Sequence, residues 1–253
     1  MTGPTGAGKS TTLYASLSTI NTSVRKIITI EDPIEYELEG ITQIQVLPQI
    51  GLTFAQGLRS MLRHDPDVMM VGEVRDFETA ELAIRIALTG HLVFSTLHTN
   101  DAASAVTRLI DMGIDPFLIV SSVECFIAQR LIRLICEKCK KEDKRELAPE
   151  LHKEILECQR EGPKDFKAWV GEGCEQCNFS GYKGRTGIHE FLLLHRSMKE
   201  LIMKKTSADE IKRAAVEHGM RTLRQAGWDK VVKSHTTIDE ILRVTQVAAD
   251  EEN

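Results

Sequence analysis

Eight residues near the start of the chain, Gly3-Pro4-Thr5-Gly6-Ala7-Gly8-Lys9-Ser10, constrain its fold more than any other segment. They match G-x-x-x-x-G-K-[ST] in full, the turn of a strand–loop–helix unit whose backbone N–H groups converge on phosphate oxygens. The glycines leave room for that approach. Lys9 brings a point charge to the β- and γ-phosphates of ATP, and Ser10, with Thr11 beside it, brings a hydroxyl to Mg²⁺. A helix over residues 10–17 aims its positive end at the same anion. The bland alternative, a glycine-rich turn that binds nothing, gives no reason for the lysine and serine to stand in register. Only Met1 and Thr2 represent the strand that must precede such a turn, so residue 1 is expected not to be the natural start of the working protein.

Downstream, short apolar runs alternate with helical patterns, which predicts a parallel sheet with helices on its faces. Ile27-Ile28-Thr29-Ile30 reads as a strand that runs into the carboxylates of Glu31-Asp32-Pro33-Ile34-Glu35-Tyr36. Residues 42–47 can form a second strand, and residues 52–64 read as an amphipathic helix with Leu58, Met61 and Leu62 on one face, stopped by Asp65-Pro66-Asp67. Val68-Met69-Met70-Val71 is a buried strand delivering Gly72-Glu73, and Asp76 is placed to cap the helix that follows. Residues 92–96 form a fourth strand, ending in His98-Thr99-Asn100-Asp101. Ligands of open α/β sheets bind outside the carboxyl ends of the strands. Three polar clusters there, beside a phosphate loop, suit a site that needs a carboxylate to orient water; taken singly, each would be an ordinary solvated loop.

The second half differs. Residues 117–135 read as an apolar helical stretch, followed by Cys136-Glu137-Lys138-Cys139, a charged insertion over residues 140–167 and Cys174-Glu175-Gln176-Cys177. Two C-x-x-C turns supply the four sulfur ligands of a closed tetrahedral Zn²⁺ site; unliganded thiols are the alternative, and a redox role would need one such motif in its own βαβ setting. The insertion is predicted to form a helix pair around Leu151, Ile155 and Trp169, with Cys125 and Cys158 outside the metal set. Residues 181–187 read as a glycine-punctuated basic turn and residues 188–194 as a strand. Thr206-x-x-Asp209 and Thr237-x-x-Glu240 suggest helix starts, and the acidic tail, residues 250–253, suggests a solvated charge run.

These residues resemble the secretion-superfamily ATPases that drive type II secretion and type IV pilus extension, the GspE and PilB family. The phosphate loop is its Walker A motif. Residues 30–36 are similar to its aspartate box, residues 67–76 to its atypical Walker B, and Ser95-Thr96-Leu97-His98-Thr99-Asn100-Asp101-Ala102 to its histidine box. The tetracysteine segment is similar to the extension and secretion branch. The resemblance implies a RecA-like P-loop NTPase core over residues 1–135 with its first strand missing, an inserted tetracysteine zinc subdomain over residues 136–177, and a C-terminal strand and helical region over residues 178–253. It assigns Glu73 to positioning or activating the attacking water, Glu35 to the neighbourhood of metal and γ-phosphate, and His98 to the phosphate end, with His91 as a weaker candidate. Arg59, Arg63 and Arg75 stay open for transition-state charge or subunit contacts. Gly72 stands where many P-loop enzymes carry Asp, which leaves Mg²⁺ more to Ser10 and bridging waters.

The same resemblance implies a homo-hexamer working with inner-membrane platform and adaptor proteins, peripheral to the inner membrane on its cytoplasmic side. Full-length members carry an N-terminal region that contributes to ring and active site, so this chain alone is expected to be a poor hexamer and a weak ATPase. The net charge of −5, with no apolar run of membrane-spanning length, offers neither a general basic field for nucleic acid nor a transmembrane segment. A RecA-type nucleic-acid motor for DNA uptake or conjugation is the alternative, motivated by the shared core and the basic residues between positions 138 and 145.

Overall fold

The computed structural model describes residues 1–158 and 166–245; the tail over residues 250–253 lies outside the described residues. Two compact units are present. The first comprises Met1–Ala128 with Phe191–Met220, and the second Gln129–Glu190 with the described residues from Arg221 onward.

In the first unit, α1 (Lys9–Ile20) leaves the phosphate loop and is followed by β1 (Ile27–Glu31), β2 (Thr42–Gln45), α2 (Phe54–Met61), β3 (Val68–Val71), α3 (Phe77–Leu88), β4 (Leu92–Ser95), α4 (Ala102–Asp111) and α5 (Pro116–Ser122). The four strands form a wholly parallel sheet in the order β2-β1-β3-β4. β1 and β3 are buried at every position, as an interior strand covered on both faces requires. Leu13, Tyr14 and Leu17 of α1 pack on Ile27, Val68 and Met70. Thr53, Asp76 and Asp101 cap α2, α3 and α4 by accepting backbone N–H bonds. Thr2 is 1% exposed and makes parallel bridges with Leu97 on one side and Ala128 on the other, so the residue before the phosphate loop occupies an interior lane of the sheet.

β5 (Cys125–Ile135), β6 (Lys140–Glu142), α6 (Pro149–Glu157), β7 (Trp169–Gly171) and β8 (Tyr182–Leu193) come next, then α7 (Arg196–Met203), α8 (Ala208–Glu217), α9 (Leu223–Val232) and α10 (Ile238–Thr245). β5 pairs with β8, and β6 pairs antiparallel with β7. Several local expectations change here. The apolar stretch over residues 117–135 is helical only to Ser122 and then runs as β5. An apolar run rich in β-branched residues suits either state, and backbone pairing decides it: the Thr2 N–H donates to the Ile127 carbonyl at 2.7 Å. Residues 182–187 belong to β8 rather than to a turn; of the range read as a turn only Gly181 lies outside the strand, at the end of a bend over residues 178–181. The described part of the insertion holds one helix, α6, and places Trp169 in β7. Ser207, not Thr206, caps α8. Thr237 does begin α10, accepting from the Glu240 N–H at 3.0 Å.

Glu240 organises the second unit. Its carboxylate is fully buried and accepts from the Arg133 guanidinium at 2.6 and 2.9 Å, from the Arg133 backbone N–H, and from Arg243 at 2.7 and 2.9 Å. Arg133 also lies 4.0 Å over the Tyr182 ring. Burial pushes the Glu240 carboxyl up, but the hydrogen bonds from Arg243 and Arg133 win and hold it down to about 2. A carboxyl that is more acidic folded than unfolded contributes stability above its ordinary value of 4.5, and that contribution is lost as pH falls toward 2. Both arginines are about half exposed, so the contribution is on the order of 2 kcal/mol after solvent screening. Denaturant titrations between pH 5 and pH 2 should show Glu240→Gln losing less stability over that window than the parent chain, from a lower starting value.

Candidate active site and tetracysteine centre

Register assembles the first site. Ile30 lies opposite Val71, and Val71 opposite Ser95, so β1, β3 and β4 end level with one another. Gly72-Glu73 and the segment from Thr96 to His98 therefore leave the sheet at one edge, where Thr2 also delivers Gly3. Gly6 and Gly8 both adopt φ of 79°, a left-handed conformation that side chains rarely take, and this lets the chain double back into α1. The Lys9 ammonium lies across the loop, donating to the Gly3 carbonyl at 2.6 Å and the Pro4 carbonyl at 3.2 Å. Ser10 and Thr11 stand exposed on the first turn of α1.

Glu73 is 8% exposed and is held from two sides: the Arg75 guanidinium lies 2.6 Å from one carboxylate oxygen, and His98 Nε2 lies 3.3 Å from the other. Two of the sequence-predicted site residues thus meet directly, and Arg75 is the one of the three candidate arginines that joins them. Arg59 is spent on an exposed pair with Glu78, and Arg63 is exposed on the short 3-10 turn after α2. His91 sits at the amino end of β4, at the sheet edge opposite His98, with its Nδ1 held by Thr89 and the Ile86 carbonyl. Glu35 is exposed on the segment after β1, with its backbone N–H donating to Tyr14 Oη at 3.3 Å. Asp101 caps α4 and pairs with Lys212 at 2.8 Å; burial opposes its charge, but Lys212 and Ser104 keep its carboxyl below the usual range.

Glu31, grouped by sequence with the carboxylate cluster after the first strand but given no role of its own, is a second buried carboxylate at 3% exposure. It accepts from Tyr14 Oη, from Thr29 Oγ1 at 2.6 Å and from Gln43 Nε2 at 3.1 Å. Tyr14 looks like an ordinary apolar-face residue of a helix, and Gln43 like the polar half of an alternating strand. Neither carries a sequence signal of this role.

In the second unit, Cys136 follows β5, Cys139 precedes β6, Cys174 follows β7, and Cys177 lies four residues before Gly181. Their Sγ atoms all lie within 4.8 Å of one another. Cys136 to Cys174 is 3.9 Å, and Cys139 to Cys177 and Cys174 to Cys177 are 3.8 Å. A tetrahedron with metal–sulfur bonds of about 2.3 Å has edges of about 3.8 Å, so the donor set fits a tetrahedral thiophilic cation. Burial pushes the Cys139 thiol up to about 12. Cys177 is also opposed by burial, yet backbone N–H groups of Cys174 and Gly181 and the neighbouring thiols draw it down to about 6. Cys125 and Cys158 stand apart from the cluster.

Residues 1–243 match the family model described as type II/IV secretion system protein. The type II secretion system protein E of Aeromonas hydrophila is 51% identical over 246 residues, covering 97% of this chain and 48% of that protein. The type IV pilus assembly ATPase PilB of Thermus thermophilus is 49% identical over 245 residues, covering 97% of this chain and 27% of that protein. The chain thus spans about half the length, or less, of the curated relatives it matches. Among solved structures, the pilus retraction motor PilT with bound ADP superposes with a TM-score of 0.69 at 29% identity, over 96% of this chain and 59% of that one. The ATPase DotB of Legionella pneumophila superposes at 0.67 and 25% identity, over 98% and 59%.

Packing at Gly72 explains why the segment after β3 carries no side chain there. A Cβ would stand 3.2 Å from Glu31 Cα and 3.3 Å from the Ile30 carbonyl oxygen, both backbone atoms of the neighbouring strand end. Its own N–H donates to Ile30, and its carbonyl accepts from Thr96 Oγ1 at 2.6 Å. Gly72→Ala should therefore cost about 1–3 kcal/mol, read as a lowered midpoint in thermal or denaturant unfolding, and Gly72→Asp should cost more.

Proposed function

The chain belongs to the type II/IV secretion system protein family, and on that premise we propose that it is the ATP-hydrolysing portion of a motor for type II protein secretion or type IV pilus assembly. The observation that supports this most strongly is the meeting of Glu73, Arg75 and His98 at the sheet edge to which Thr2 delivers the phosphate loop. The loop from Gly3 to Ser10 receives the phosphates, with Lys9 turning its ammonium from the Gly3 and Pro4 carbonyls to the β- and γ-phosphate oxygens. A water oxygen attacks the γ-phosphorus as its bond to the β-bridging oxygen breaks, giving ADP and phosphate. Glu73 orients that water and takes up its proton, which requires its carboxylate to be released from Arg75. Arg75 is then free to face the charge on the transferring group, His98 stays at the phosphate end, and Glu35 serves the metal-facing side.

Ser10 would hold Mg²⁺, which would supply neutralisation of phosphate charge. In the second unit, Cys136, Cys139, Cys174 and Cys177 hold one Zn²⁺ as a structural centre. Ring assembly as a hexamer, and docking to inner-membrane platform and adaptor proteins, complete the proposal as properties of the longer protein. Among the described residues, no helix is long and apolar enough to cross a membrane.

Lys9→Ala should abolish nucleotide binding, whereas Glu73→Gln should bind ATP with near-parental affinity and release no phosphate, because one residue meets the ground state and the other serves the chemical step. Equilibrium titration with a fluorescent ATP analogue, alongside phosphate release, separates the two; equal loss of affinity in both variants would refute the division.

Metal analysis should find about one Zn²⁺ per chain in protein purified without chelator. Cys136→Ser should lower both metal content and thermal stability, and Cys125→Ala and Cys158→Ala should leave the metal unchanged.

A further inference from the structure

The segment that carries Glu35 has no secondary structure of its own over residues 32–39, yet side chains from two neighbouring elements fix its backbone. Tyr14, projecting from α1, accepts the Glu35 N–H, and its ring meets the Tyr36 ring edge-on at a centroid distance of 4.7 Å. Gln43, on β2, grips the same segment from the other side. Its Nε2 donates to the Tyr36 carbonyl at 3.2 Å, and its Oε1 accepts the Leu38 N–H at 2.7 Å. Glu31 in turn locks both of these side chains by accepting from Tyr14 Oη and from Gln43 Nε2, with Thr29 completing its partners.

Orientation around this cluster is fully specified. A carboxylate supplies acceptors only, so Tyr14 must point its O–H at Glu31, which leaves the phenol oxygen free to receive the Glu35 N–H. Burial and the Glu31 carboxylate both push the Tyr14 phenol up, which keeps that proton in place at any working pH. The Gln43 amide is likewise fixed: its nitrogen faces Glu31 and the Tyr36 carbonyl, and its oxygen faces the Leu38 N–H. Every interaction in the set is internal to the first unit, and Tyr14 stands on the same helix that begins at Lys9.

We propose that Glu31, Tyr14 and Gln43 are positioning residues that set the place of the Glu35 carboxylate relative to the phosphate loop. Tyr14 ties the segment to the phosphate-loop helix, Gln43 ties it to the sheet, and Glu31 makes the two ties one rigid unit. This rests on the proposed use of Glu35 in ATP hydrolysis. The chemistry is an exacting one for misplacement, since a shift of about 1 Å in a reacting or charge-bearing group costs up to about a hundredfold in rate.

The test uses the full chain in single-turnover ATP hydrolysis, with Tyr14→Phe, Gln43→Met and Glu35→Gln alone and in pairs. Glu31→Gln removes the charge at the buried hub and disturbs every tie at once, so the two milder variants, which keep size and shape, carry the test. Each should lower the hydrolysis rate by on the order of tenfold while leaving ATP affinity near the parental value. Combined with Glu35→Gln, neither should lower the rate further, because a positioning residue has nothing left to position. A merely structural role predicts instead a weakened ATP affinity or a rate loss that multiplies in the pairs, and either result overturns the inference. Should Glu35→Gln itself hydrolyse at the parental rate, the catalytic use of Glu35 falls, and the inference with it. Full additivity with an impaired Glu35→Gln sinks the inference alone.

Discussion

Parallel pairing of β1, β3 and β4 is the constraint on which the candidate active site depends. Because Ile30, Val71 and Ser95 stand level across the sheet, three loops that are far apart in sequence leave it at one edge. A parallel ladder achieves this only with both faces covered, which is why β1 and β3 are buried at every position and why helices follow β3 and β4. Thr2, bridged on both sides, brings the phosphate loop into the same frame. Slipping one strand by a residue would turn its side chains to the other face and carry Glu73 or His98 away from the loop.

Buried carboxylates recur in this chain, and each is stabilised differently. Glu240 is surrounded by two guanidinium groups and serves the second unit as a fixed ion-pair centre. Glu31 relies on neutral donors, a phenol, a hydroxyl and an amide, which orient its neighbours. Glu73 keeps some exposure of its own and has a single side-chain partner at each oxygen, Arg75 at one and His98 at the other, whereas the Glu240 carboxylate is fully buried with several donors converging on it. That contrast suits a group that must exchange partners during a reaction, while the other two hold structure. The tetracysteine cluster is another concentration of potential negative charge, one that a divalent cation among four sulfurs would offset.

Much of this was legible in the sequence. The phosphate loop, the strands expected over residues 27–30, 68–71 and 92–96, which the structure bounds within one residue, the Asp76 cap and the two C-x-x-C motifs all follow from local rules of spacing, capping and strand composition. What escaped was nonlocal. The state of residues 125–135 depended on pairing partners, one of them at the opposite end of the chain, because β-branched apolar runs serve either a buried helix or a strand. Residues 182–187 hid a strand behind glycines, and the partition into two units groups residues 191–220 with the first. In the site, Arg75 could not be separated from Arg59 and Arg63 until the Glu73 contact was seen, and the roles of Tyr14 and Gln43 exist only once α1 and β2 face one segment.

The central claim is that this sheet edge directs water onto the terminal phosphate of ATP. Hydrolysis by the full chain in water enriched in heavy oxygen, followed by mass analysis of both products, tests it most directly. The account predicts that heavy oxygen enters the released phosphate, that ADP carries none, and that the Glu73→Gln variant yields no labelled phosphate. Label in ADP, or undiminished labelled phosphate from Glu73→Gln, would contradict it.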